Sequence, residues 1–123
     1  MKAGITIFVL SAALTMALSA ATRTWTGGGD GTTWTDPDNW GGVAPADGDT
    51  ATFSVADTLT CGSNIEFSGN ITIKVSSGTV ILAGVVSGSG GITKSGSGTL
   101  YLANRANTYD GLMTVSAGAL YCR

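Results

Sequence analysis

The chain has 123 residues, 43% hydrophobic and 11% charged, with 19 glycines, no histidine and a net charge of −2. That length suits one domain, and a charge-poor, slightly acidic chain without a basic patch argues against nucleic acid as a partner. The missing histidine removes the commonest general base and the commonest metal ligand.

The chain opens with Lys2, then an apolar run from Ala3 to Leu18, then the small residues Ser19-Ala20-Ala21. This reads as a secretory signal peptide over residues 1–21, cut near Ala20 or Ala21. An uncleaved anchor helix is the alternative, but the run is shorter than the ~20 residues a span requires. No second run of spanning length follows, so no membrane span is expected in the mature chain. The mature part keeps five basic and eight acidic residues, a net charge of about −3.

Residues 22–49 hold all three tryptophans (Trp25, Trp34, Trp40) and both prolines (Pro37, Pro45). Gly27-Gly28-Gly29-Asp30-Gly31 reads as a hairpin loop and Asp36-Pro37-Asp38-Asn39 as a turn. The segment is expected to form a short N-terminal β cap. The tryptophans have two readings. They could plug the open end of a repeat core, since repeat proteins need terminal caps. They could instead be a glycan-binding platform, their flat faces stacking on sugar rings.

From Thr50 the apolar residues alternate: Phe53 and Val55, Leu59 and Cys61, Ile65 and Phe67, then Ile71, Ile73 and Val75. Period two argues for strands, and glycine-rich breaks separate them. A longer period lies on top. Gly78-Thr79-Val80-Ile81-Leu82 recurs as Gly98-Thr99-Leu100-Tyr101-Leu102 and again as Gly118-Ala119-Leu120-Tyr121-Cys122, at intervals of 20 residues. Repeats of this kind bury their apolar faces by stacking on one another. Stacked, Val80, Leu100 and Leu120 form one inner column and Leu82, Leu102 and Cys122 another. Ile81, Tyr101 and Tyr121 form a ladder on the opposite face. An antiparallel sandwich would also give short strands, but would not require like residues to recur in register. The expected fold is therefore all-β, a parallel β-helix (solenoid) with rungs of about 20 residues over residues 50–123.

Cys61 and Cys122 raise the question of a disulfide. Shifted by 21 residues, Leu59-Thr60-Cys61 falls on Val80-Ile81-Leu82, which puts Cys61 and Cys122 in one column. Three strand spacings of ~4.8 Å separate them, too far for a bond that needs Cα atoms within ~7 Å. Two buried free thiols are expected. An N-terminal segment folded back along the stack is the alternative.

Gly90-Gly91-Ile92-Thr93-Lys94, Gly96-Ser97-Gly98-Thr99-Leu100, Asn107-Thr108-Tyr109-Asp110-Gly111 and Thr114-Val115-Ser116-Ala117-Gly118-Ala119-Leu120 occur in that order. Together they resemble the autotransporter-associated β-strand repeat of bacterial passenger proteins, over about residues 90–120. The Trp-rich segment is similar to the N-terminal part of some secreted proteins that carry this repeat. The resemblance implies a right-handed β-helix, secreted or on a bacterial cell surface, acting as a structural or adhesive stalk. It carries over no catalytic residue. The chain stops inside a strand at Tyr121-Cys122-Arg123, with no translocator barrel, so truncation at the C-terminus is expected, or else a partner covering the edge. Further β-helix rungs, of the same or another chain, are the expected partners, with a cell-surface glycan as the other candidate.

Other constellations are weak. Gly88 to Ser95 nearly spells a phosphate loop, but Thr93 stands where glycine is needed and a strand follows. Asp30, Asp36, Asp38, Asp47 and Asp49 could offer oxygens to calcium, yet their spacing matches no ligand loop. Asp57, Glu66 and Asp110 are the only other acids, and nothing places an acid–base pair. Asn70-Ile71-Thr72 is a formal sequon with no expected role. No catalytic residue, cofactor or metal is assigned, and the chain is expected not to be an enzyme. A polysaccharide-acting enzyme is the remote alternative.

Overall fold

A computed structural model describes residues 20–123. The signal-peptide reading, up to residue 19, lies outside the described residues. Nine strands follow in chain order: β1 (Thr22–Thr24), β2 (Thr50–Cys61), β3 (Ile65–Glu66), β4 (Ile71–Leu82), β5 (Val86–Ser87), β6 (Ile92–Ser95), β7 (Thr99–Leu102), β8 (Met113–Val115) and β9 (Ala119–Cys122). A single 3-10 turn, Pro37–Trp40, is the only helical element among the described residues. None of their helices is long and apolar enough to cross a membrane.

Every strand pairing is parallel, between one rung and the next. β1 pairs β2, β2 pairs β4, and β4 pairs both β6 and β7, which pair β8 and β9 in turn. β3 and β5 make a second, short sheet. This is a β-solenoid. The offset is 22 residues at Phe53↔Val75, 21 at Ile71↔Ile92 and 20 at Val80↔Leu100. The expected 20-residue period therefore holds on the β7–β9 side, and the other rungs are slightly longer. Register shifts around Ser54 absorb the surplus in β2, as bulges do where a strand bends.

The columns follow the alternation. Leu59–Val80–Leu100–Leu120 and Cys61–Leu82–Leu102–Cys122 run in register through four rungs. Phe53, Cys61, Val80, Leu82, Leu100 and Leu102 are fully buried. Tyr101 and Tyr121 stack outside, ring centroids 5.8 Å apart at 30°. Both cysteines are free, but only Cys61 is buried and Cys122 is exposed. The expectation of two buried thiols fails at Cys122 because no following rung covers its column in the described chain. Asparagines stitch the corners. Asn64, Asn70 and Asn107 each accept, through Oδ1, a backbone N–H 21 residues away.

Lys94 breaks the pattern. It sits in the inner column Ile73–Lys94–Val115 and is fully buried. Its Nζ donates to the carbonyls of Ser95 (2.8 Å), Gly96 (2.9 Å) and Ala117 (3.2 Å). The alkyl stem fills the column as an apolar residue would, and the turn carbonyls solvate the ammonium.

Candidate functional site

The aromatic end is built from the sequence-singled tryptophans. Trp34 and Trp40 are 2% and 5% exposed, and Trp25 is half-buried. Trp40 packs edge-on against Trp25 and Trp34, centroids 5.0 Å away in each case. All three rings reach Phe53, and Trp34 also reaches Phe67. The Trp40 Nε1 proton goes to the Trp34 carbonyl at 2.6 Å. The arrangement brings the three tryptophans together on the first rung's core residues, with the faces of Trp34 and Trp40 turned into protein.

The residue that organises this end is Asn39, which sequence reading treated only as part of a turn. It is fully buried. Its Oδ1 accepts from Gly29 N and Gly31 N, and its Nδ2 donates to Asp30 Oδ1 and the Thr33 carbonyl. The segment Gly27–Gly31 is thus wrapped around one amide instead of linking two paired strands, so the expected hairpin does not form. Regular β structure between residues 22 and 49 is confined to β1. Asp36 caps the 3-10 turn by accepting from Asp38 N. The Asp-Pro-x-Asn spacing was the available signal for this hub.

The carboxylates are spread among these local tasks. Asp30 accepts from Thr33 Oγ1, Thr32 N, Asn39 and Thr33 N, which hold its carboxyl far below the usual range. Asp47 accepts from Ser68 Oγ. Asp49 is buried and pairs with Arg23. Burial pushes its carboxyl up, but donors from Ala46, Ala21 and Arg23 outweigh that, and the group lies below the ordinary carboxylate value. Among the described residues no three His, Cys, Asp or Glu side chains converge to hold a metal ion.

Two surfaces remain. A groove of about 260 Å³ runs beside the column Thr72–Thr93–Thr114 and is bordered by Asn70, Ser89 and Leu112. The segment Gly88–Ser95, which resembled a phosphate loop, passes through a corner into β6 with no helix after it. The second surface is the last described rung. Val115 and Leu112 are 50% and 78% exposed there. Val115 occupies an inner column position, so it would be buried by a following rung.

The geometry defines a parallel β-solenoid with one end filled by aromatic rings and with Leu112 and Val115 exposed on the last described rung. Residues 92–121 match the family model described as Passenger-associated-transport-repeat. The matched residues are those of the rungs from β6 to β9, which are thus similar to this passenger repeat. No curated protein and no solved structure matches the chain.

Proposed function

We propose that the chain is a structural segment of an exported bacterial passenger, displayed on or released from the cell surface, with no catalytic activity of its own. The carrying observation is the likeness of residues 92–121 to a passenger repeat, laid on the in-register columns Leu59–Val80–Leu100–Leu120 and Cys61–Leu82–Leu102–Cys122. Such columns suit a spacer or adhesive stalk, because each rung offers the next a ready edge. Further rungs, from this chain or another, are the natural cover. The Trp-rich segment acts as the cap of this stalk, and the segment ahead of it, cut near Ala20 or Ala21, as its leader. Fractionation and protease treatment of intact cells test the reading. Surface-exposed or released protein is expected, and protein confined to the cytoplasm overturns it.

A second reading is recognition of a surface glycan, which the hydroxyl-bearing groove at Thr72, Thr93 and Thr114 favours. Binding through Trp25, Trp34 and Trp40 would need ring faces that now pack on Phe53 and Phe67. A glycan array read with Thr93→Val and Trp25→Ala separates the two surfaces, and no binding by the unaltered chain removes both.

A further inference from the structure

Ala21 is tied into the fold through both backbone polar groups. Its N–H donates to Asp49 Oδ1 at 2.8 Å, and its carbonyl accepts from Thr50 N at 2.8 Å. Ala20, one residue earlier, is exposed. Asp49 is 4% exposed, and its second oxygen accepts from Arg23 Nε at 3.3 Å and Ala46 N at 3.0 Å. One oxygen of a buried carboxylate thus faces a cation, and the other faces only amide nitrogen.

We propose that export processing cuts the Ala20–Ala21 bond and that the α-ammonium released on Ala21 becomes a second cationic partner of Asp49. The inference rests on the export reading above. The reaction is a hydrolysis by a signal peptidase acting on the extended precursor. Water adds across the amide, Ala20 leaves as a carboxylate with the leader, and the Ala21 nitrogen takes up the protons. Ala20 supplies the small residue directly before the cut, while Leu18 stands three before it, where the small-x-small pattern of such sites favours a cut after Ala21 or Ser19. The choice of Ala20–Ala21 rests on the Asp49 contact alone. The product turns a neutral donor into a charged one at the same place, and charge-assisted hydrogen bonds are about twice as strong as neutral ones.

The neighbouring cuts lack this outcome. Cleavage after Ala21 removes the donor to Asp49 Oδ1 and the acceptor for Thr50 N, leaving a buried carboxylate and a half-buried residue's amide short of partners. Cleavage after Ser19 puts the ammonium on exposed Ala20, in water. Arg23, on β1, is the other cation at Asp49. Asp47, in the same loop, is turned to Ser68.

Intact-mass and N-terminal sequence analysis of the exported protein test the site of the cut. A chain beginning Ala-Thr-Arg-Thr-Trp is expected. An exported chain beginning at Ala20 or Thr22 overturns the inference and leaves the export reading standing, whereas an uncut chain retained inside the cell overturns both. The pairing has its own test. The chain beginning at Ala21 is compared with the same chain acetylated at its N-terminus, which restores a neutral amide donor. Acetylation is expected to lower the thermal midpoint, and Asp49→Asn to erase the difference. Equal midpoints for the free and acetylated forms overturn the pairing without recourse to a variant.

Discussion

A β-carbon on Gly118 would stand 2.7 Å from Lys94 Nζ. The glycine thus leaves the space in which the buried ammonium reaches its three carbonyls. Gly118 also has φ of +70°, a conformation that L side chains rarely adopt. Steric and conformational demands coincide at this corner. Gly118→Ala is expected to destabilise the last rung by about 1–3 kcal/mol. Denaturant unfolding checks this, and an unchanged midpoint would mean that the Lys94 corner is looser than described.

The inner columns make a steeper prediction than the outer ladder. Leu100 is fully buried between Val80 and Leu120, while Tyr121 is 55% exposed and stacks on Tyr101 from one side. Leu100→Ala should lose about 2–5 kcal/mol through transfer and cavity terms. Tyr121→Ala should lose roughly 0.5–1 kcal/mol, as cross-strand aromatic pairs do. Equal losses in paired unfolding curves would contradict the assignment of inside and outside.

At the aromatic end, Trp34→Ala should cost about 3–5 kcal/mol, because it removes a ring enclosed by Trp40, Phe53 and Phe67. Loss of any glycan binding without loss of thermal stability would instead identify Trp34 as a ligand contact.

Stability at high pH should be set by two buried groups of opposite sign. Burial first, and the Asp30 charge second, push the Cys61 thiol from 9.0 up to about 12. Above pH 9 the unfolded chain gives up this proton while the folded chain holds it. The thiol's stabilisation is therefore complete below pH 9 and is lost as pH rises toward 12, an effect of ~4 kcal/mol at most. Burial lowers the Lys94 pKa instead, so just below the ordinary lysine value the unfolded chain binds more protons and stability rises with pH. The wild type is expected to weaken between pH 9 and 12 and Cys61→Ala to weaken less. Identical pH profiles for the two would rule out the thiol as the cause.

Much of this was legible in the sequence because the core obeys two simple periods. The alternation of Ile71, Ile73 and Val75 and the recurrence of Val80, Leu100 and Leu120 are local facts, and in-register parallel pairing turns them into columns. The 21-residue offset that placed Cys61 on Leu82 is the observed register. Lys94 was not legible as an inner residue, although it stands two positions after Ile92, since its burial depends on carbonyls of turns beyond its own strand. Asn39 was hidden for a similar reason. Its four bonds run to a glycine-rich loop and to Asp30 and Thr33, none of which a periodicity marks. The tryptophans were found as a group, but their packing on Phe53 and Phe67 required the rungs to be in place.

The parallel ladders have a mechanical consequence. Their hydrogen bonds run along the stack, while the backbone of each strand runs across it. Tension between the two ends therefore loads one rung junction after another in series, like a zipper. Among the described rungs, the short β6–β8 and β7–β9 junctions should yield before the aromatic end. Each rung that opens releases 20 to 22 residues of chain, roughly 70 Å when extended. A stalk built this way would lengthen in steps under load and shed force with each step.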